Sequence, residues 1–208
     1  MNDKNKKKGP STPLEEYAIV LDYLSLGYIK PDGSKFKGQP IAQAIGKDHF
    51  TLFELTPKKG VDLEIQEAVF IGKGKKDKIG KIAKLTLEDL TATSRIELDY
   101  ALRDLVESQE EKFVNFFNEA GAVSIKLHKL ELIPGIGKKH MNAILDARKI
   151  KPFESFADIT ERVPALTDPA GMIVNRIKHE LDINGARKGR KRYFVFTKGP
   201  RKPKQNKN

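Results

Sequence analysis

The stretch Leu130-Glu131-Leu132-Ile133-Pro134-Gly135-Ile136-Gly137-Lys138-Lys139-His140 decides how the rest of the chain is read. Two glycines within three residues let the backbone take a positive φ and let another group come close, so consecutive amides can point outward. Lys138 and Lys139 open a helical pattern with Met141, Ile144 and Leu145 on its apolar face and Arg148 and Lys149 in its last turn. Upstream, Ser124 starts a stretch in which Leu127, Leu130 and Ile133 recur every third residue. The expected arrangement is helix, four-residue hairpin, helix. Amides that follow the second glycine sit at a helix N-terminus, where unsatisfied N–H groups and the positive end of the dipole attract an anion. Two lysines in that first turn oppose the usual preference for acids, and a phosphate partner explains them. Pro134, Gly135, Ile136, Gly137, Lys138, Lys139 and His140 form the first candidate site, a plain tight turn being the bland alternative.

Leu132 to Lys139 resembles the helix-hairpin-helix motif, and the resemblance implies a hairpin that grips nucleic-acid phosphates without reading sequence. It also leaves room for a monovalent cation under the 134–139 hairpin; no other cofactor or metal is expected. Such motifs come in pairs, and a second candidate follows: Phe153, Phe156, Ile159 and Val163, then Pro164 to Asp168, then Pro169 to Leu181. Pro169 suits a first helical position, and Met172, Ile173, Ile177 and Leu181 give a core-facing stripe. The second hairpin has no glycine, so it reads as a structural mate and not as a phosphate grip.

Working toward the N-terminus, residues 16–85 hold short segments rich in Val, Ile, Phe and Tyr, broken by Gly, Pro and Asp. The expected strands are Tyr17 to Leu24, Ile41 to Ile45, Phe50 to Leu55, Leu63 to Ile71 with a kink, and Ile79 to Leu85. Pro31, Asp32, Gly33 and Gly38 mark a long first loop, and Thr56 to Gly60 a tight connection. About five strands in ~70 residues suggest a small closed barrel of OB type, because closure removes exposed edges. Between strands and hairpins, Ser94 with Glu97 and Ser108 with Glu111 read as two capping boxes. Leu98, Leu102 and Leu105, then Phe113, Phe116, Phe117 and Ala120, supply their core faces.

Charge is unevenly spread over the 208 residues, whose formal net charge is +11. Residues 1–10 carry four Lys against one Asp, and residues 185–208 carry ten Lys or Arg and no acid. The remaining 25 basic and 27 acidic residues leave the body near neutrality, at −2. Blocks of like charge stay solvated and commonly serve as arms for a polyanion, or simply as solubilising tails. Residues 85–125, with nine acids and three bases, would repel a phosphate backbone and read as a connector. Residues 72–84 carry a net +5 through Lys73, Lys75, Lys76, Lys78, Lys81 and Lys84 against Asp77. Such a loop either flanks an oligonucleotide on a small barrel or is an ordinary solvated hairpin. Arg187, Lys188, Arg190, Lys191 and Arg192 precede Tyr193 to Phe196, a run of strand character whose aromatics are either buried or stack on bases. Lys73, Lys75, Lys76 and Lys78, with these five basic residues, complete the candidate nucleic-acid-binding set.

The absence of Cys excludes disulfides, thiolate metal sites and a thiol nucleophile and fits a reducing, cytoplasmic setting. Lys4 to Lys8 precede only a five-residue apolar stretch, Tyr17 to Leu21, too short for a signal core or a membrane span, so no membrane partner is expected.

From residue 14 to 198 the chain resembles an uncharacterised archaeal family of predicted RNA-binding proteins with an OB-like domain and paired helix-hairpin-helix motifs. The expected fold is α+β: a basic arm at 1–13, an OB-like β-domain at 14–85, an acidic helical connector at 86–122, tandem hairpins at 123–184, and a basic segment at 185–208 with a strand at 192–197. The expected function is non-catalytic binding of nucleic acid along its phosphates; RNA is favoured over DNA by the resemblance alone. One alternative is a protein-interaction module of a ribosome or repair assembly. The other is a glycosylase or lyase, since helix-hairpin-helix DNA glycosylases resemble this motif and use a lysine at the place of Lys139 and a later aspartate. Asp158 lies in an amphipathic helical stretch, Ser155 to Arg162, and the four histidines, His49, His128, His140 and His179, have no metal-ligand spacing, so no catalytic residue is assigned.

Overall fold

A computed structural model describes residues 15–27, 38–182 and 192–197. The arm at 1–13, Pro31 to Gly33 of the first loop, and Arg187, Lys188, Arg190 and Lys191 lie outside the described residues. The fold is α+β. Strands β1 (Tyr17–Leu24), β2 (Ile41–Gly46), β3 (Leu52–Pro57), β4 (Ala68–Phe70) and β5 (Ile79–Lys84) form one antiparallel sheet in the order β4-β1-β2-β3-β5. Helices α1 (Ala92–Ser108), α2 (Glu110–Glu119), α3 (Lys138–Ile150), α4 (Phe156–Arg162) and α5 (Pro169–Leu181) follow, with a two-stranded ribbon of β6 (Ala122–Ser124) and β7 (Leu127–His128) between α2 and α3.

Both faces of the curled sheet carry apolar side chains. Ala18, Val20, Ala42, Ala44, Phe53, Leu55 and Ile79 pack together on the concave side. Leu21, Ile45 and Leu52 on the other side join the helical core. That double cover explains why every residue of β2 is buried. Register irregularities at Val20/Asp22 and Thr56/Pro57 bend the strands. The curl stops at a half-barrel, in contrast to the closed barrel expected from strand count, because β4 and β5 are not ladder partners. Their edges are instead blunted by brevity in β4, three residues long, and by Lys81 and Lys84 in β5. Leu63 to Glu67 drop out of the expected fourth strand: Gln66 takes φ +66° and its N–H donates to the Val20 carbonyl at 2.7 Å. Phe50, at φ +57°, belongs to the turn before β3.

α1 presents Leu98, Ala101, Leu102, Leu105 and Val106, spaced at three and four residues, to that core. Its N-terminus is fixed by the sheet and not by a capping box at Ser94. Thr91 is the N-cap; its hydroxyl accepts from the Ser94 N–H at 3.0 Å and donates to the Asp22 carboxylate at 2.6 Å. Buried Gln43 donates to the Asp89 carbonyl and accepts from the Thr91 N–H. The second expected box fails too, since Ser108 donates back to Leu105 and α2 starts after Gln109 without a side-chain cap. Phe113 and Phe117 of α2 are fully buried, each contributing about 2–3 kcal/mol by area removed from water. A single cluster thus runs from the sheet through α1 and α2 to Ile133, Ile144, Ile159 and Ile173.

The expected helix from Ser124 to Ile133 is replaced by the β6–β7 ribbon and one 3₁₀ turn, Lys129–Leu132. His128 caps that turn: its Nδ1 accepts from the Leu130 N–H at 3.2 Å while Glu131 accepts from the His128 N–H at 2.8 Å. The expected strand at 192–197 is absent. The N–H groups of Val195, Phe196 and Thr197 donate to the buried Glu180 carboxylate at 2.8, 3.1 and 2.8 Å, which withdraws these three from any ladder. Phe196 packs edge-on against Phe113 and Phe116, so this aromatic is a core contact. No helix among the described residues is long and apolar enough to cross a membrane.

Candidate nucleic-acid interface

Ile133 to Ile136 make the turn of the first hairpin. The Ile136 N–H donates to the Ile133 carbonyl at 3.1 Å, and Gly135 sits at φ +87° in the second central position. That is a type II turn, in which glycine is needed there and proline is favoured just before it. Ile133 and Ile136 are buried and anchor the turn from both sides, while Gly135 and Gly137 face solvent. Gly137 is the N-cap of α3 and supplies no side chain to the amides behind it. The first helical bond runs from the Met141 N–H to the Gly137 carbonyl at 2.9 Å. The amides of Gly135, Gly137, Lys138 and Lys139 therefore have no protein acceptor among the described residues. Lys138 and Lys139 are exposed beside them. A shallow depression of about 410 Å³, lined by Glu131, residues 132–137 and His179, lies along the turn.

His140 is half-buried, with its Nδ1 2.9 Å from the Gly135 carbonyl, so a proton on that nitrogen is donated to the turn itself. Among the described residues no three His, Asp or Glu side chains converge on a metal position. At the base of the hairpin, burial first and then the charge of Arg148 hold the His128 imidazole below its usual range, with Glu131 opposing. A neutral ring is what its acceptor role at Leu130 requires.

The second hairpin closes with the same turn hydrogen bond, but Ala165 does not take the positive φ of Gly135, so its turn is not of type II, and its chemistry differs. The Leu166 N–H donates to the Val163 carbonyl at 2.8 Å across Pro164 and Ala165, and Val163 and Leu166 are buried as Ile133 and Ile136 are. Its helix end, however, is closed by the protein's own anion. The Asp168 carboxylate accepts from the Gly171 N–H at 3.0 Å and is paired with Arg103 at 2.7 Å. Burial pushes that carboxyl up, but the Gly171 N–H and the Arg103 guanidinium outweigh it and leave it below the ordinary range. Gly171 is needed for this: a Cβ there would lie 2.0 Å from Asp168 Oδ2.

Two residues unmarked in the sequence reading tie the first hairpin to the C-terminal segment. Arg176 donates to the Leu132 carbonyl at 2.9 Å and to the Tyr193 carbonyl, and is paired with Glu180 at 2.8 Å. Glu180 in turn holds 195–197. The signal available was an Arg and a Glu at i, i+4 in the otherwise apolar face of α5. Arg192 donates to the Asp182 carbonyl and lies 5.5 Å from the Phe194 ring. The lysine loop is elsewhere: Lys73 and Lys75 are exposed and Lys76 half-buried between β4 and β5, and Lys78 is paired with Glu67. It borders the concave-face cluster, whereas the hairpin is seated on the helical one. Asp158, the aspartate weighed for catalysis, accepts from the Glu154 N–H and pairs with Arg162 at 3.1 Å.

Fold and site together define an α+β protein in which a half-barrel sheet and five helices share a core, and an uncapped, lysine-flanked helix start is presented at the surface. The chain belongs to the DUF655 family, described as a protein of unknown function, whose family model matches residues 14–198. It is 43% identical over 194 residues to the uncharacterized protein MJ0038 of Methanocaldococcus jannaschii, covering 92% of this chain and 84% of that one. The crystal structure of Af1531 from Archaeoglobus fulgidus, itself assigned to DUF655, superimposes with a TM-score of 0.78 at 39% identity, over 88% of this chain and all of that one. Both relatives are archaeal and uncharacterised.

Proposed function

We propose that this protein binds nucleic acid, RNA in preference to DNA, by donating the open amides of Gly135, Gly137, Lys138 and Lys139 to backbone phosphates, without catalysis and with low sequence specificity. One observation carries the reading: the chain closes the helix start at Asp168 with its own carboxylate and leaves the matching helix start at Gly137 open, exposed and flanked by cations. An external anion completes the open one, at about 1.5–3 kcal/mol for each charge-assisted hydrogen bond. The paired turns at 133–136 and 163–166 support a tandem helix-hairpin-helix reading. The order β4-β1-β2-β3-β5, that of a five-strand ring cut between β4 and β5, supports an OB-like one. Phosphates position a partner and carry no base information directly, hence the low specificity. The pairing of Asp158 with Arg162 supports the non-catalytic reading. RNA is favoured by the resemblance to predicted RNA-binding proteins.

The test is fluorescence anisotropy of labelled 20-mers, single- and double-stranded, RNA and DNA, titrated at several salt concentrations. Log affinity should fall linearly with log salt, by about 0.9 per duplex phosphate or about 0.7 per single-strand phosphate. Absence of salt-dependent binding to all four would refute the reading.

A further inference from the structure

We infer that the β5 edge of the sheet is a second polyanion-binding surface, separate from the hairpin, and that a single-stranded nucleic-acid backbone is its partner. This rests on the function proposed above for the class of partner, but on different residues. Lys81 and Lys84 stand on β5, whose side chains beyond Ile79 are all exposed. β5 pairs with β3 and with no other described strand, so one of its sides is an edge. In register, Lys81 lies opposite Thr56 and Lys84 opposite Phe53, which puts the two lysines on opposite faces of that edge. The turn after β3 adds exposed Lys58 and Lys59 at the end of β5 that carries Lys81: the Lys58 N–H donates to the Lys78 carbonyl at 2.8 Å, and its ammonium reaches the Lys76 carbonyl. Lys73 and Lys75 continue the array in the adjoining loop.

The pairing of β3 with β5 thus gathers lysines that are well separated in sequence. Residues 57–60 and 72–84 hold eight lysines against one acid, Asp77, a net of +7, and Glu67 from the neighbouring turn is taken by Lys78. The hairpin brings two. Like charges crowded on one edge repel each other unless a polyanion neutralises them. The residues of this edge include no aromatic side chain on which a base could stack, so the partner is recognised through its phosphates. A flexible single strand can follow both rims of a twisted edge, which a stiff duplex does not. This surface, and not the hairpin, is then the main source of salt dependence, since each phosphate neutralised releases counterions.

The experiment compares wild-type protein with K58Q/K59Q/K81Q/K84Q, with G137A, and with K149Q/K151Q at the far end of α3, using a fluorescein-labelled 20-mer oligouridylate. Thermal unfolding confirms that each variant is folded. The four edge lysines should reduce the log–log salt slope by about 2.8, so that raising salt from 50 to 200 mM costs the variant about 50-fold less affinity than it costs wild type. The α3 pair, with the same charge change per substitution, should leave the slope unchanged, and G137A should lower affinity with little effect on slope. An unchanged slope in the edge variant, or an equal loss per charge in the α3 variant, overturns the second surface. Loss in G137A alone keeps the hairpin and removes the edge; loss in the edge variant alone does the reverse. Wild-type binding to phosphatidylserine vesicles with none to the oligonucleotide overturns both.

Discussion

Gly135 and Gly137 are equivalent in the sequence pattern, yet replacing each by alanine should do different things. At Gly135 the residue sits at φ +87°, where an L side chain costs about 1–2 kcal/mol, and a new Cβ would come 3.0 Å from Met172 Cε. Methionine is flexible enough to give way, so G135A should lose about 1–2 kcal/mol of stability in denaturant unfolding. At Gly137 the backbone is extended, φ −90° and ψ −178°, and a Cβ meets nothing within 4 Å. The stability cost there is that of replacing glycine by alanine at an N-cap, of order 1 kcal/mol or less. That open space is the approach to the Lys138 and Lys139 amides, and a methyl group in it keeps a phosphate oxygen from the contact distance. Loss of one charge-assisted hydrogen bond of about 1.5–3 kcal/mol predicts at least a tenfold weaker complex. Anisotropy on a single-stranded RNA, with unfolding curves on the same preparations, measures both quantities. Native affinity in a G137A protein would refute the idea that backbone amides take the phosphate.

Other substitutions probe the supports of the site. E180A strands Arg176 and three N–H groups in a buried setting, so unfolding should show a loss of about 3–5 kcal/mol. Limited trypsin digestion should cleave after Arg192 far sooner in E180A; unaltered digestion contradicts the anchoring role. His128 has a lowered pKa in the folded chain, so its stabilising contribution is present above the unfolded value of about 6.5 and is lost as pH falls through the folded one. Unfolding of wild type between about pH 7 and pH 5 should therefore show a decline that H128N lacks, in a window where few carboxylates titrate. Asp168 is also lowered, so its contribution is present above about pH 4 and fades below it. D168N should flatten the acid limb slightly, the pair being half-exposed and screened, and should leave oligonucleotide binding as it was.

Much of the architecture was legible because it is written in short-range periodicity. The limits of β1, the apolar faces of α1, α3 and α5, and the start of α3 at Lys138 all follow from spacing and from Gly or Pro at the right place. The misreadings share a cause: a local pattern offered one partner and the folded chain supplied a better one. Ser94 with Glu97 satisfies the capping-box pattern, but Asp22 and Gln43, from strands some 50 to 70 residues earlier, fix Thr91 as the cap. The leucine spacing from Leu127 to Ile133 fits a helix, but His128 and Glu131 cap each other into a 3₁₀ turn and leave the preceding residues to the ribbon.

By itself the sequence determined where glycine must stand in the hairpin, which faces are apolar, and that positive charge collects in blocks, because each of these depends on neighbours within about one helical turn. Tertiary structure decided which backbone donors remain open. The second hairpin is sealed by Asp168 because α1 brings Arg103 to it, residues 195–197 form no strand because Glu180 takes their N–H groups, and Lys58 joins Lys78 and Lys81 because β3 pairs with β5. A buried donor takes whichever acceptor the fold brings within about 3 Å, and sequence separation has no influence on that choice.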